Sequence, residues 1–128
     1  LGGEGNGGII YPAHQYCRDG GMTAAVMVSI LAGSRRPLSA LVDELPEFTL
    51  LAGKFPVDNP AALVSALAKT YLHDTIDWTD GIRINRNDSW ALVRPSGTEP
   101  LVRVIVESAD AGTAHYFYDE ILNRMQSC

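Results

Sequence analysis

The segment Arg94-Pro95-Ser96-Gly97-Thr98-Glu99-Pro100 brings together a guanidinium, two hydroxyls and a glycine between two strand-like runs, and Arg103 follows closely after it. That set of residues suits a phosphate dianion, which needs converging hydrogen-bond donors, a fixed positive charge and an unobstructed approach. Arg94 offers a planar fork for two phosphate oxygens, Ser96 and Thr98 add hydroxyl donors, and Gly97 lets backbone N–H groups turn inward as an anion-binding nest. Prolines at both ends stiffen the loop, so less conformational entropy is lost when a ligand arrives. An ordinary Pro/Ser/Gly turn between strands would use the same residue types. Arg103 separates the two readings, because pairing of the flanking strands as a hairpin would set two guanidinium groups against one small anion.

A second polar loop opens the chain, Gly2-Gly3-Glu4-Gly5-Asn6-Gly7-Gly8, and runs into Ile9-Ile10-Tyr11. Its glycines cannot bury apolar surface, but they allow close approach to the backbone while Glu4 and Asn6 project from it. A carboxylate beside an amide suits the vicinal hydroxyls of a sugar, since the first accepts and the second both donates and accepts. The loop is no dinucleotide fingerprint, which needs a preceding strand and a helix opening at its glycines. A flexible terminus or linker is the competing reading.

Taken together, the two loops resemble those of the alpha-D-phosphohexomutases, the family of phosphomannomutase, phosphoglucomutase and phosphoglucosamine mutase. Gly2 to Gly8 looks like the sugar-binding loop at the end of that family's third domain, and Arg94 to Pro100 like the phosphate-binding loop of its fourth. Tyr16-Cys17-Arg18-Asp19-Gly20 and the apolar helix after it resemble the end of domain three, so the likeness runs the length of the chain. The resemblance implies that Glu4 contacts hexose hydroxyls, and the carboxylate-beside-amide reading adds Asn6. It further implies that Arg94, Ser96, Gly97 and Thr98 hold the phosphate that is not being transferred, to which the hairpin reading adds Arg103. Many members carry serine at the place of Asn6 and histidine at that of Gly8; the version here looks most like the archaeal-type phosphoglucosamine and phosphomannomutase branch.

In the family, a phosphoserine of the first domain donates its phosphoryl group, and a magnesium ion held by an Asp-Gly-Asp run of the second neutralises the developing charge. Neither element is in this sequence; Asp19-Gly20 and Asp80-Gly81 are isolated pairs that read as turns. The chain also begins at Leu1 directly before a ligand loop. It is therefore expected to be the C-terminal fragment of a phosphohexomutase, inactive alone, with the N-terminal domains of the same enzyme and a phosphorylated hexose as partners. No catalytic residue, metal ligand or cofactor is assigned to it. The rival is a stand-alone module that captures phosphosugars without chemistry.

Composition agrees with a globular, cytoplasmic piece: 46% hydrophobic and 20% charged residues, with a net charge of -5 and no basic stripe for nucleic acid. Cys17 and Cys128 read as free thiols of a reducing compartment. The apolar run Met22 to Ala32 is too short to span a bilayer. His14, His73 and His115 lack metal-ligand spacing.

The elements that must position these loops follow from periodicity. Thr23 to Ala32 is apolar almost all round, which predicts a buried helix ended by Gly33. Leu38, Leu41, Val42 and Leu45 mark a short helix that Pro46 stops. Residues 47–58, with Gly53 and Pro56, read as a crossing strand or linker between a domain-three remnant (1–46) and a phosphate-binding unit (59–128). In that unit Asn59 caps a helix with Pro60 at its first position and Leu63, Val64, Leu67 and Tyr71 on one face. A hairpin turns at Asn87-Asp88, a further strand carries Val102, Val104 and Val106, and Asp110 caps a helix striped by Ala114, Phe117, Ile121 and Met125. The order predicts an α+β fold: an antiparallel sheet with helices on one face, preceded by a partial α/β segment.

Overall fold

The computed structural model describes residues 1–3 and 7–128, in two units, Leu1–Leu45 and Pro46–Cys128. In the first, the dipeptides Gly2–Gly3 (β1) and Ile9–Ile10 (β2) pair antiparallel. Asp19 opens helix α1 (Gly20–Ser34) by accepting the Met22 N–H at 2.9 Å, and the bond holds its carboxyl below the usual carboxylate range. The helix does not stop at Gly33. It ends at Arg35, which adopts a left-handed φ of 54° and donates its N–H to the Leu31 carbonyl. Nor is it buried: Val28 and Ile30 are 65% and 48% exposed. Two dipeptide strands and the short α2 (Leu38–Val42) give this unit too few layers to enclose a helix that is apolar on every side.

The second unit is built on a five-stranded antiparallel sheet in the order β3-β7-β6-β5-β4. Its first strand, β3 (Thr49–Pro56), occupies most of the segment expected to link the units, and Thr49, Leu51, Gly53 and Phe55 alternate toward the interior. Gly53 is the point of closest approach, since a Cβ there would run into the Tyr118 hydroxyl and the Phe55 ring. Helix α3 (Pro60–Lys69) starts as predicted, with the Asn59 side chain accepting from Ala62 at 3.1 Å. A short strand the sequence did not signal, β4 (Thr75–Asp77), forms the far edge beside β5 (Ile82–Arg86). Strands β6 (Ser89–Pro95) and β7 (Leu101–Ser108) complete the sheet, and α4 (Ala111–Gln126) is capped by Asp110, which accepts from Thr113 at 2.6 Å.

Both helices of this unit pack on one sheet face. Val64, Leu67 and Tyr71 of the α3 region and Phe117 and Ile121 of α4 meet Ile82, Ile84, Ala91, Val93, Val102, Val104 and Val106 in a single core. The β5–β6 register sets Ile82 opposite Val93 and Ile84 opposite Ala91. Trp90 and Leu92 therefore lie on the other face, which carries no helix of this unit.

Candidate functional site

Pairing of β6 with β7 sets Arg94 directly opposite Arg103 on the helix-free face, and pairing of β7 with β3 sets Lys54 opposite Arg103. Three cations from three strands thus form one row across the sheet. The row ends at the loop 96–100, which closes β6 onto β7. Ser96 donates its N–H to the Leu101 carbonyl at 2.9 Å, Leu101 donates to Glu99 at 2.8 Å, and the Pro100 carbonyl accepts from Val57 at 3.0 Å. The loop is pinned at its root while Gly97, Thr98, Glu99 and Pro100 stay exposed.

Gly97 has open space around its Cβ position and a φ outside the left-handed region. Alternating left-handed residues, which a backbone nest requires, are absent among the described residues of the loop. What Gly97 supplies is room. The donors this end offers are Arg94, Arg103 and the hydroxyls of Ser96 and Thr98, since the Ser96 N–H is taken by Leu101 and the Thr98 N–H reaches Ser96 Oγ at 3.5 Å.

The guanidinium groups are incompletely partnered. Arg94 donates from Nη1 to Asp80 Oδ2 at 2.7 Å in an exposed ion pair. Its Nε, and that of Arg103, are buried without a hydrogen-bond partner among the described residues. A buried donor left unmade is unfavourable and marks unspent bonding capacity. Beside Lys54 and Arg103, a shallow hollow of about 300 Å³ runs along Ala52, Gly53, Val104 and Ile105. A larger hollow of about 410 Å³ at the other end of the sheet, lined by Arg83, Asn85, Trp90 and Glu107, lies away from the loop. There Arg83 stacks over the Trp90 ring at 4.6 Å and the indole N–H donates to Glu107 at 3.1 Å.

Glu4 and Asn6 lie outside the described residues. Arg94, Ser96, Gly97, Thr98 and Arg103 are brought together at one end of the β6–β7 hairpin. Two residues of this end escaped the sequence reading. Lys54 sits in a strand taken for a crossing segment, and only its register places it beside Arg103. Asp80 looked like half of an Asp-Gly turn, which it is, but the turn aims it at Arg94. Asp19, read as half of an isolated Asp-Gly turn, caps α1 and accepts from Gln15 at 2.7 Å. Among the described residues no group of three or more His, Cys, Asp or Glu could hold a metal ion, and no helix is long and apolar enough to cross a membrane.

Comparison with known proteins matches two consecutive family models. Residues 53–124, more than half of the chain, fit the phosphoglucomutase/phosphomannomutase C-terminal domain, and residues 1–48 fit the alpha/beta/alpha domain III of the same proteins. A probable phosphoglucosamine mutase of Methanopyrus kandleri is 41% identical over 100% of this chain and 29% of its own length. A phosphoglucosamine/phosphogalactosamine mutase of Sulfurisphaera tokodaii is 37% identical over 92% of the chain and 27% of its own length. A phosphoglucomutase/phosphomannomutase of Thermococcus kodakarensis is 40% identical over 93% and 27%. The chain thus spans under a third of the relatives it matches. The crystal structure of a phosphoglucomutase/phosphomannomutase family protein from Burkholderia thailandensis shares the fold, with a TM-score of 0.74 at 24% identity over 94% of this chain and 27% of that one.

Proposed function

Because the chain belongs to the phosphoglucomutase/phosphomannomutase family, we propose that it is the substrate-gripping C-terminal part of a phosphohexomutase. The enzyme would interconvert hexose or glucosamine 1- and 6-phosphates through a phosphoserine and a bisphosphorylated sugar. In this reading Arg94, Ser96, Gly97, Thr98 and Arg103 hold the phosphate that is not transferred, and Glu4 and Asn6 engage the sugar hydroxyls. The phosphoserine and the magnesium ion belong to other domains of the enzyme. The described residues do not fit a magnesium site, and no step assigned to this chain runs through one.

The observation that supports the reading is the placement of Arg94 opposite Arg103 at the root of a pinned, open loop. Two guanidinium groups fix the charge, and the third cation of the row, Lys54, adds field without a planar fork. Such a clamp recognises a phosphate group itself and not the sugar carbon that bears it. It therefore suits an enzyme whose substrate and product present phosphates on different carbons. Holding the spectator phosphate contributes positioning, because binding energy far from the reacting atoms restricts the motion of the sugar.

Titration of the chain with inorganic phosphate, followed by backbone amide resonances, tests the site. Shifts at Gly97 and Thr98 that vanish in Arg94→Ala are expected at millimolar phosphate, the affinity range of a clamp without its partner domains. Absence of any shift in that range overturns the site. Turnover of glucose 1-phosphate by the chain alone would overturn the assignment of chemistry to other domains.

A further inference from the structure

Among the described residues, the one carboxylate that forms an ion pair with any of the three cations of the row is Asp80, and its position is built in two ways. On one side, Asp77 Oδ1 accepts from the Thr79 N–H at 2.8 Å and the Thr79 hydroxyl at 2.6 Å, closing a turn just before Asp80. On the other, Gly81 adopts a φ of 76°, and a Cβ there would stand 2.4 Å from the Val93 carbonyl and 2.7 Å from the Arg94 Cα. Asp80 is thus fixed between a side-chain-closed turn and a glycine wedged against the backbone of Arg94 itself. Its carboxylate needs little ordering to reach the guanidinium.

Stability does not account for this arrangement. The Asp80 and Arg94 side chains are 61% and 36% exposed, and exposed ion pairs contribute little to folding. The effect on charge is larger in kind. An anion arriving at Arg94 meets a guanidinium whose Nη1 is already engaged, and a negative charge fixed beside the place it must occupy.

We propose that Asp80 is a built-in competitor of the phosphate, occupying Arg94 when the loop is empty and weakening the grip when it is full. The inference rests on the reading of Arg94 to Thr98 as a phosphate site and adds to it a residue that tunes release. A clamp that must let go of its ligand in each cycle gains from such a residue, since tight ground-state binding does not speed the chemical step. Asp80 acts through Arg94 and is a positioning residue, not a catalytic one.

Asp80→Asn keeps the shape and an acceptor oxygen but removes the charge; Asp80→Ala removes both. Each variant of the 128-residue chain is titrated with inorganic phosphate, the Gly97 and Thr98 amide shifts giving the Kd. Both are expected to bind phosphate about twofold to fivefold more tightly than the parent, the range an exposed ion pair corresponds to. Asp119→Asn makes the same change in net charge from an exposed position on α4, and is expected to leave the Kd unchanged. In the Arg94→Ala background Asp80→Asn is expected to restore no shift at Gly97 or Thr98, since the competition runs through that guanidinium. Unchanged or weaker binding in both Asp80 variants, with the parent binding and Arg94→Ala not, overturns the role of Asp80 and leaves the phosphate site standing. No shift in the parent or in any variant overturns both. Tightening by Asp119→Asn of the same size as that by Asp80→Asn reduces the effect to net charge and also overturns the proposal.

Discussion

Arg86 and Arg94 lie on adjacent strands of one sheet, at opposite ends and on opposite faces, and their surroundings differ in the number of anions each meets. Arg86, on the helix-covered face, donates to Asp74 at 2.8 Å and to both oxygens of Glu120, and lies over the Phe117 ring at 4.2 Å. Arg124 joins it, pairing with Glu120 at 2.9 Å while stacked over Tyr71. On the helix-free face Arg94 pairs with one exposed carboxylate, Asp80, and both Arg94 and Arg103 keep a buried Nε unmatched among the described residues. Arg86, which ties helix α4 to the sheet, has spent its donors; Arg94 has not. Residue type alone cannot distinguish the two, and partner count can.

The largest expected effect probes what holds the Arg94 end of the sheet in place if ion pairs do not. Gly81→Ala forces a left-handed alanine against the Val93 carbonyl and the Arg94 backbone. It should lower stability by about 3 kcal/mol in denaturant titration, combining backbone strain with overpacking. A loss under 1 kcal/mol would mean that the turn carrying Asp80 is not clamped. Next, Arg86→Ala should destabilise by about 2–3 kcal/mol, because it strands Asp74 and leaves Glu120 with Arg124 alone, carboxylates that are 21% and 15% exposed.

A smaller effect is read by pH. Hydrogen bonds from Arg86 hold the Glu120 carboxyl below its ordinary value. Its contribution is therefore present above the unfolded pKa of about 4.5 and is lost as pH falls through the lowered folded value. Glu120→Gln should flatten the acid side of the stability curve below that pH, and an unaltered curve would remove Glu120 from the network. The smallest expected effect is the sharpest contrast. Arg94→Ala should change stability by no more than about 0.5 kcal/mol while abolishing the phosphate shifts; if it destabilises as much as Arg86→Ala, the two arginines do not differ in kind.

The sequence made some of this legible. Caps at Asn59 and Asp110, each followed by an apolar stripe, place α3 and α4 because those signals are local. The facing of Arg94 and Arg103 was legible too, since a short loop between two strands leaves few registers open. What depends on distant pairing was not. β3 hid behind Gly53 and Pro56, and Gly53 makes sense only once Tyr118 of α4 is seen crossing over it. The burial expected for α1 followed from its composition, but burial is a property of neighbours, and the described elements of its unit leave it exposed. Asp80 was invisible as a partner because an Asp-Gly pair signals a turn without saying what the turn faces.

The order of the strands also bears on how the second unit is assembled. β3 is made first yet pairs only with β7, the last strand made, whereas β5–β6 and β6–β7 are hairpins between neighbours. Local closure has the smaller entropic barrier, so the β6–β7 hairpin, with its arginines and loop, can form as soon as it is synthesised. β3 must wait with its backbone donors and acceptors open until β7 emerges, a template for wrong pairing in the interval. Lys54 in its middle and Pro56 at its end are the residue types that blunt an open edge. The lysine that lends charge to the loop in the folded unit thus guards the nascent strand before that unit exists.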